Sequence, residues 1–539
     1  MTHVTAVLSM LHESEDRNSA TRRFRGAPVL AWTLRRLARA ERVGSMVVLC
    51  WEDQLAHVES IAGEGGANLL VKGPRAPVPA LDAITAARRW ADGWRGGLLA
   101  SCDFDLGFHA PWHAEILQRE NADAAVLVDP ASALIDPVLV DGVIAHAAAH
   151  DAVELSFSQA APGLSGVVVR PSLLTRLAAA RAHPGRLLHY LPAQPTRDPI
   201  AGDGCAPVPT PVARTVHRFK LDSDRQIQRI GLATMPLNGS LMTSEADELV
   251  RRLSASPMQD RLPREIVLEL NTTRATRPIY WPGRHLPIDR APMTLDTARR
   301  VFDECAAGAD DLRLTLAGVG DALLAPDVFE IIEAAAEAGI SAIHIETDLL
   351  APPDQVRKLA SAPVDIVSVH LPALSAQTYA AVMGVDAYAV ALDNLRTFVL
   401  ERQQRGRGVP IVVPVFTKCA ANLAEMEPWY DQWLGALGSA VIAGPTTCGG
   451  QIPDVGVADM SPPRRRPCAR LSSRMTILSD GRIVSCEQDV TGRQVIGLVG
   501  ATTIERVWRE RFPLIREQHR AGDVTTLPVC NTCSEWHRP

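Results

Sequence analysis

Short apolar runs alternate with helix-like stretches in two series along this chain, and the rhythm breaks between them. A strand-like run followed by a helical one is a βα unit. Such units in series build a mostly parallel sheet covered by helices. In the first series Val4–Leu11, Gly44–Cys50, Gly97–Cys102, Ala124–Val128 and Gly166–Val169 read as strands, with helices at Ala27–Ala40 and Ala80–Trp94. In the second, strands at Ile266–Leu270, Leu312–Leu316, Ala342–Ile345, Ile366–His370, Ile411–Val415 and Ala440–Ala443 are spaced by helices at Thr294–Cys305, Asp327–Ala338, Asp354–Ala360, Asp386–Arg402 and Leu423–Leu434. Six alternations predict a partial (β/α)6 barrel, with functional side chains at the C-terminal strand ends.

Residues 236–263 lose the pattern: Pro236, Asn238, Gly239, Ser256, Pro257 and Pro263 surround one helical piece, Ser244–Leu253. The expected organisation is therefore an α/β domain at 1–235, a linker at 236–263, the barrel at 264–455 and a small cysteine-rich module at 456–539. A chain of 539 residues fits this division, because single cores stop growing near about 250–300 residues.

The net charge of −6 gives no overall pull toward nucleic acid or anionic membranes. No apolar run reaches the roughly 18 residues of a membrane helix. Met1-Thr2-His3-Val4 leads straight into a strand, with no basic or apolar leader. A cytoplasmic protein without membrane insertion is expected.

Four of the ten cysteines fall in the last 72 residues. Between Cys468 and Cys486, the Asp480-Gly481 pair marks a hairpin turn, and a hairpin brings its ends together. Cys530-Asn531-Thr532-Cys533 is a CxxC knuckle. Four thiolates are the ligand set of a [4Fe–4S] cluster or of tetrahedral zinc, and spacing alone does not separate the two.

The segment Cys468-x12-Gly481-x4-Cys486 resembles the opening of the SPASM/twitch domains appended to radical S-adenosylmethionine (SAM) enzymes. Ile496-Gly497-Leu498-Val499, Thr503–Trp508 and Pro528–Trp536 continue the likeness. The resemblance implies an auxiliary [4Fe–4S] cluster on Cys468, Cys486, Cys530 and Cys533, one cluster as in the shorter twitch form.

Residues 264–450 resemble a radical SAM core. Gly318-Val319-Gly320-Asp321-Ala322-Leu323-Leu324 is similar to the family's Gly-Gly-Glu-Pro-Leu-Leu turn, which receives the amino group of SAM. By that likeness Gly318, Gly320 and Asp321 form a weak SAM-like site. Glu346–Leu350 stands where the family often has Thr-Asn-Gly, and Ser368-Val369-His370 ends the fourth strand. The family's cluster motif, Cys-x3-Cys-x2-Cys, is absent. Arg274, Pro278 and Trp281 occupy its three positions, and none of them ligates iron. The implication is a kept fold without radical chemistry, a combination similar to the spiro-SPASM proteins.

Residues 1–235 resemble cytidylyltransferase-type nucleotidyltransferases, a GT-A-like fold. Gly26–Leu34 is similar to their Gly-Lys-Pro-Leu segment, and Lys220-Leu221-Asp222-Ser223-Asp224-Arg225 to their closing Asp-Thr-x-x-Asp. Asp103 and Asp105 stand where that family holds Mg²⁺, or they cap the segment that follows. The first loop, Met10–Arg25, lacks the family's glycines. Its Arg22, Arg23 and Arg25 reach phosphates or form a solvated basic run.

These readings lead to an iron–sulfur protein with a redox, scaffolding or substrate-binding role beside partner enzymes, in modification of a peptide or a cell-surface sugar. An active enzyme, either a sugar nucleotidyltransferase or an atypical SAM enzyme, is the alternative. The expected substrate is a peptide or nucleotide sugar, not nucleic acid.

Overall fold

The computed structural model describes residues 3–94, 97–191, 193–256 and 260–538. The chain divides into two compact units, Met1–Met258 and Gln259–Pro539.

Unit one is built on a seven-stranded sheet. Its strands are β1 (Val4–Ser9), β2 (Ser45–Cys50), β3 (Asn68–Val71), β4 (Ala124–Val128), β5 (Leu155–Ser158), β6 (Val167–Val169) and β7 (Cys205–Ala206). The order across the sheet is β3-β2-β1-β4-β6-β5-β7. β3, β2, β1 and β4 run parallel, and β6 is antiparallel to β4. β1 and β4 are buried along their whole length. That is why they read as unbroken apolar runs and not as alternating ones.

One expected strand is missing. Gly97–Cys102 forms a 3-10 turn at Leu98–Ala100, with Leu99 and Ala100 at φ of 59° and 55°. Two successive residues in the left-handed region depart from the extended geometry a strand needs. The place beside β1 is taken by β4, so Asp103 sits in a second 3-10 turn, Asp103–Asp105, and not at a strand end.

The stretch read as a linker is largely structured. Leu237, Leu241, Leu249, Val250 and Leu253 join the core cluster of unit one beside Val212 and Ile230. The buried Arg36 guanidinium fixes its start, donating to the carbonyls of Ile135, Leu241 and Ser244 at 2.7, 2.6 and 2.7 Å. Local sequence does not report this, because the binding groups are backbone carbonyls.

Unit two is one nine-stranded sheet. Six parallel strands come in chain order: β8 (Glu265–Leu268), β9 (Arg313–Leu316), β10 (Ala342–Thr347), β11 (Ile366–His370), β12 (Ile411–Thr417) and β13 (Val441–Ala443). This is the order expected of a (β/α)6 series. Helices between them are capped in the usual way: Thr294 and Ser375 accept from the backbone N–H groups of Thr297 and Thr378.

The cysteine-rich module is not a separate body. β14 (Arg474–Ile477) pairs in parallel with β8, and β15 (Arg482–Val484) and β16 (Val495–Leu498) extend the same sheet antiparallel. The β14–β15 hairpin turns at Asp480-Gly481, where Gly481 has φ of +82°, a conformation glycine adopts without strain.

Alternation along the strands sorts the two faces. Ile266, Leu268, Leu314, Leu316, Ile343, Ile345, Val367 and Val369 join the large core with the helices. Their neighbours Glu265, Thr315, His344, Glu346, Ser368 and His370 therefore point to the face without helices. Among the described residues no helix is long and apolar enough to cross a membrane.

Candidate functional site

The C-terminal ends of β8 to β11 converge on a buried charge network. Arg274, in the loop after β8, donates from Nε to Asp348 Oδ2 at 2.8 Å, and its Nη2 pairs with Oδ1 of the same carboxylate. Thr276 Oγ1 donates to Asp348 Oδ2 at 2.5 Å. His370 Nδ1 lies 3.2 Å from Asp348 Oδ1 and 3.0 Å from Arg274 Nη2, and its Nε2 lies 3.7 Å from Glu346 Oε2. Asp348 is fully buried.

Burial by itself would raise the Asp348 carboxyl, but Arg274 and His370 outweigh it and hold it well below the carboxylate range. For His370 burial works downward, while Asp348 and Glu346 prevail and raise it to about 9. Asp321 goes the other way, raised to about 6 by burial and the neighbouring Asp348.

Arg274, Pro278 and Trp281 have separate structural tasks. Arg274 neutralises Asp348. Pro278 is buried in a loop whose flanks, Arg277 and Ile279, bond to the carbonyls of Met383 and Val382 at 2.8 and 2.9 Å. Trp281 Nε1 donates to the Val319 carbonyl at 2.6 Å, so an indole occupies a polar group of the glycine turn.

The rest of the turn is also engaged. The N–H groups of Val319, Gly320 and Asp321 donate to Glu269 Oε2, Asn271 O and Thr273 O at 3.1, 3.1 and 2.8 Å. A Cβ at Gly318 would meet Glu269 Cγ at 2.6 Å, and one at Gly320 would run into Asn271. Close packing against the end of β8 therefore explains both glycines. Asp321 caps the turn through Leu323 N at 3.0 Å and also accepts from Thr347 Oγ1 at 3.0 Å.

The four C-terminal cysteines are all free thiols. Cys468 acts electrostatically on Cys486, Cys530 and Cys533, so the hairpin end and the knuckle face one neighbourhood. Burial raises Cys486 well above the ordinary thiol value and pushes Cys530 up to about 12. Two backbone amides point at sulfur: Gln488 N at 3.5 Å from Cys486 Sγ, and Glu535 N at 3.3 Å from Cys533 Sγ. Among the described residues, no set of three or more His, Cys, Asp or Glu is gathered closely enough to hold a metal ion. The sulfurs lie as neighbours rather than as a closed cage.

The knuckle is tied to the loop after β13. The buried Glu535 accepts from Thr446 Oγ1 and Thr447 N at 2.7 and 3.0 Å, and Thr532 donates to the Gly449 carbonyl.

In unit one the two singled-out aspartates part company. Asp105 is fully buried and its carboxylate is consumed locally. Oδ2 accepts from Cys102 N at 2.7 Å and lies 2.9 Å from His183 Nδ1, and Oδ1 accepts from Gly185 N at 2.9 Å. It is a turn-forming residue and not available to a metal. Asp103 instead pairs with Lys220, whose Nζ lies 2.8 Å from its Oδ1 and 2.6 Å from Asp129 Oδ2.

Sequence reasoning overlooked Asp129, although it follows the apolar strand β4 directly. That is the same signal that drew attention to Asp103. The basic loop residues have partners inside the unit. Arg22 reaches Asp224 at 3.0 Å, Arg23 donates to the Gly26 carbonyl at 3.2 Å, and Arg25 donates to the Thr234 carbonyl at 2.5 Å.

No family model matches the chain. A Treponema pallidum (strain Nichols) protein described only as uncharacterized is 26% identical over 276 residues, 48% of this chain and 74% of that one. Similar solved structures include the radical SAM enzymes BtrN, in complex with AdoMet and 2-DOIA, and Streptococcus suis SuiB, bound to precursor peptide SuiA. BtrN is 16% identical, covers 51% of this chain and 94% of its own, and has a TM-score of 0.33. SuiB is 12% identical, covers 54% and 77%, and has a TM-score of 0.39. A cytidylyltransferase from Leptospira borgpetersenii is 15% identical, covers 47% and 93%, and has a TM-score of 0.32. These likenesses concern fold alone.

Proposed function

We propose that this protein is an iron–sulfur protein of the SPASM/twitch kind, built on a radical-SAM-like barrel that does not perform radical SAM chemistry. Its role is redox, scaffolding or substrate binding beside partner enzymes, with a peptide or a cell-surface sugar as the object of modification. The observation that carries this reading is the Arg274–Asp348 ion pair. Radical cleavage needs a cluster held by three thiolates, with one iron open to SAM. Arginine has no lone pair to give a metal, and here its guanidinium is committed to a buried carboxylate. The indole of Trp281 against the Val319 carbonyl supports the same reading.

Cys468, Cys486, Cys530 and Cys533 would hold the cluster. A [4Fe–4S] centre with four protein thiolates supplies one-electron transfer and leaves no iron free for substrate. The chain's own contribution is electrostatic. Arg470 lies close enough to feel both Cys486 and Cys468, and backbone N–H groups face two of the sulfurs. Both features favour thiolate over thiol.

The test is anaerobic purification with iron, sulfide and zinc analysis, followed by dithionite reduction in the presence of SAM. About four iron and four sulfide per chain are expected, with no 5′-deoxyadenosine above a protein-free control. Zinc without iron removes the cluster from the proposal. Protein-dependent 5′-deoxyadenosine removes the claim of lost chemistry.

A further inference from the structure

Lys220 is fully buried, and its surroundings explain how. Residues 219–221 run extended between two loops: Phe219 N donates to the Pro162 carbonyl at 2.8 Å, and Leu221 N to the Ala131 carbonyl at 2.9 Å. Gly163, at φ of +93°, permits this approach, since a Cβ there would meet the Lys220 nitrogen at 2.7 Å. Phe219 and Leu221 point into the apolar core. Alternation then sends Lys220 to the opposite side, where the turn after residue 102 and the end of β4 present their carboxylates.

The ammonium bridges Asp103 Oδ1 at 2.8 Å and Asp129 Oδ2 at 2.6 Å. Asp129 keeps its other oxygen on Ala131 N at 2.8 Å. Around the pair stand His12, with Nε2 3.8 Å from Asp129, and Arg88, 3.8 Å from Asp103. The adjoining cavity holds only about 20 Å³, room for little more than one water. Burial works against a charged lysine, yet Asp103 and Asp129 outweigh it, and its pKa lies above the ordinary value.

Two carboxylates from separate segments, converging on one buried positive charge, is the arrangement of a divalent-cation site. Here the charge comes from the chain. We propose that the Lys220 ammonium replaces a divalent cation in unit one, so that the Asp103–Asp129 pair takes no Mg²⁺ or Mn²⁺ while the lysine is present. This is an alternative to Mg²⁺ on Asp103 and Asp105, and it stands independently of the reading of unit two. An ordinary buried ion pair has the same geometry. It differs in one consequence: removing its lysine creates a defect that metal does not repair.

The experiment uses the full chain, with free Mn²⁺ followed by electron paramagnetic resonance and unfolding followed by melting temperature. Wild type and Asp103→Ala should bind the same amount of Mn²⁺, and the wild-type melting temperature should ignore both Mn²⁺ and EDTA. Lys220→Ala should melt lower and recover as Mn²⁺ is added, because a ligand of the native state alone stabilises it by mass action. EDTA should reverse the recovery, and Lys220→Ala/Asp103→Ala should show none. If Lys220→Ala does not fold, Lys220→Gln fills more of the space, keeps both carboxylates and takes the same titration. Mn²⁺ binding by wild type that is lost in Asp103→Ala would overturn the proposal. So would a folded lysine variant with no Asp103-dependent response.

Discussion

At the barrel mouth the buried charges answer one another: Arg274 faces Asp348, and His370 stands between Asp348 and Glu346. Elsewhere in unit two, in loops and turns outside the strands, Cys468, Cys486, Cys530 and Cys533 hold four soft donors, with burial pressing the last three toward the protonated thiol. The first region has supplied its own cation and is electrostatically closed. On the proposed reading the second is chemically incomplete, because a cluster of neighbouring thiols gains most when a soft cation displaces their protons. Unit one repeats the first solution, with Lys220 in place of Arg274.

The largest expected effect lies in the incomplete region. Cys486→Ser or Cys533→Ser should take bound iron from about four atoms per chain to nearly none and bleach absorption near about 400 nm. Arg274→Met should leave both unchanged. If Arg274→Met also loses iron, the two regions are not separable in the way described.

At the barrel mouth, Asp348→Ala leaves the Arg274 charge buried without its carboxylate, at a cost of about 3–5 kcal/mol in urea unfolding. The double variant Arg274→Met/Asp348→Leu, which removes both charges, should recover most of that loss. Failure of the double variant to recover would mean that the pair does more than balance charge.

His370 sharpens the comparison through pH. Its pKa in the folded state is about 9, against about 6.5 in the unfolded chain. A raised histidine stabilises fully below the unfolded value, and the stability is lost as pH rises through the folded one. Unfolding free energy should therefore fall between about pH 6.5 and 9, by roughly 2–3 kcal/mol. His370→Asn should flatten that slope. An unchanged slope in the variant would assign the titration elsewhere.

The smallest effect concerns Trp281. Trp281→Ala frees the Val319 carbonyl, and calorimetry should show SAM binding about severalfold tighter than in wild type, since one buried acceptor is worth only about 1 kcal/mol. The variant should still release no 5′-deoxyadenosine. Equal affinity in both proteins would make the indole irrelevant to the turn.

Periodicity alone determined much of this protein. The six parallel strands of unit two, most of the helices between them and the hairpin at Asp480-Gly481 were legible because each is written in local patterns of burial and turn chemistry, whereas the helix Ala376–Met383 was not read. The absence of a Cys-x3-Cys-x2-Cys motif was legible too, since it depends only on which residue types stand at three positions. The strand expected at Gly97–Cys102 failed because an apolar run says nothing about whether a neighbour is available to pair with it. The packing of Leu237, Leu241, Leu249, Val250 and Leu253 was not legible for a related reason: their segment is anchored by Arg36, some two hundred residues upstream. Only the tertiary structure decided which buried charges pair. Asp348 lies 74 positions from Arg274, and Lys220 lies 91 positions from Asp129. Charge complementarity acts through space over a few ångströms, and no local pattern of the sequence records which distant segments the fold will bring that close.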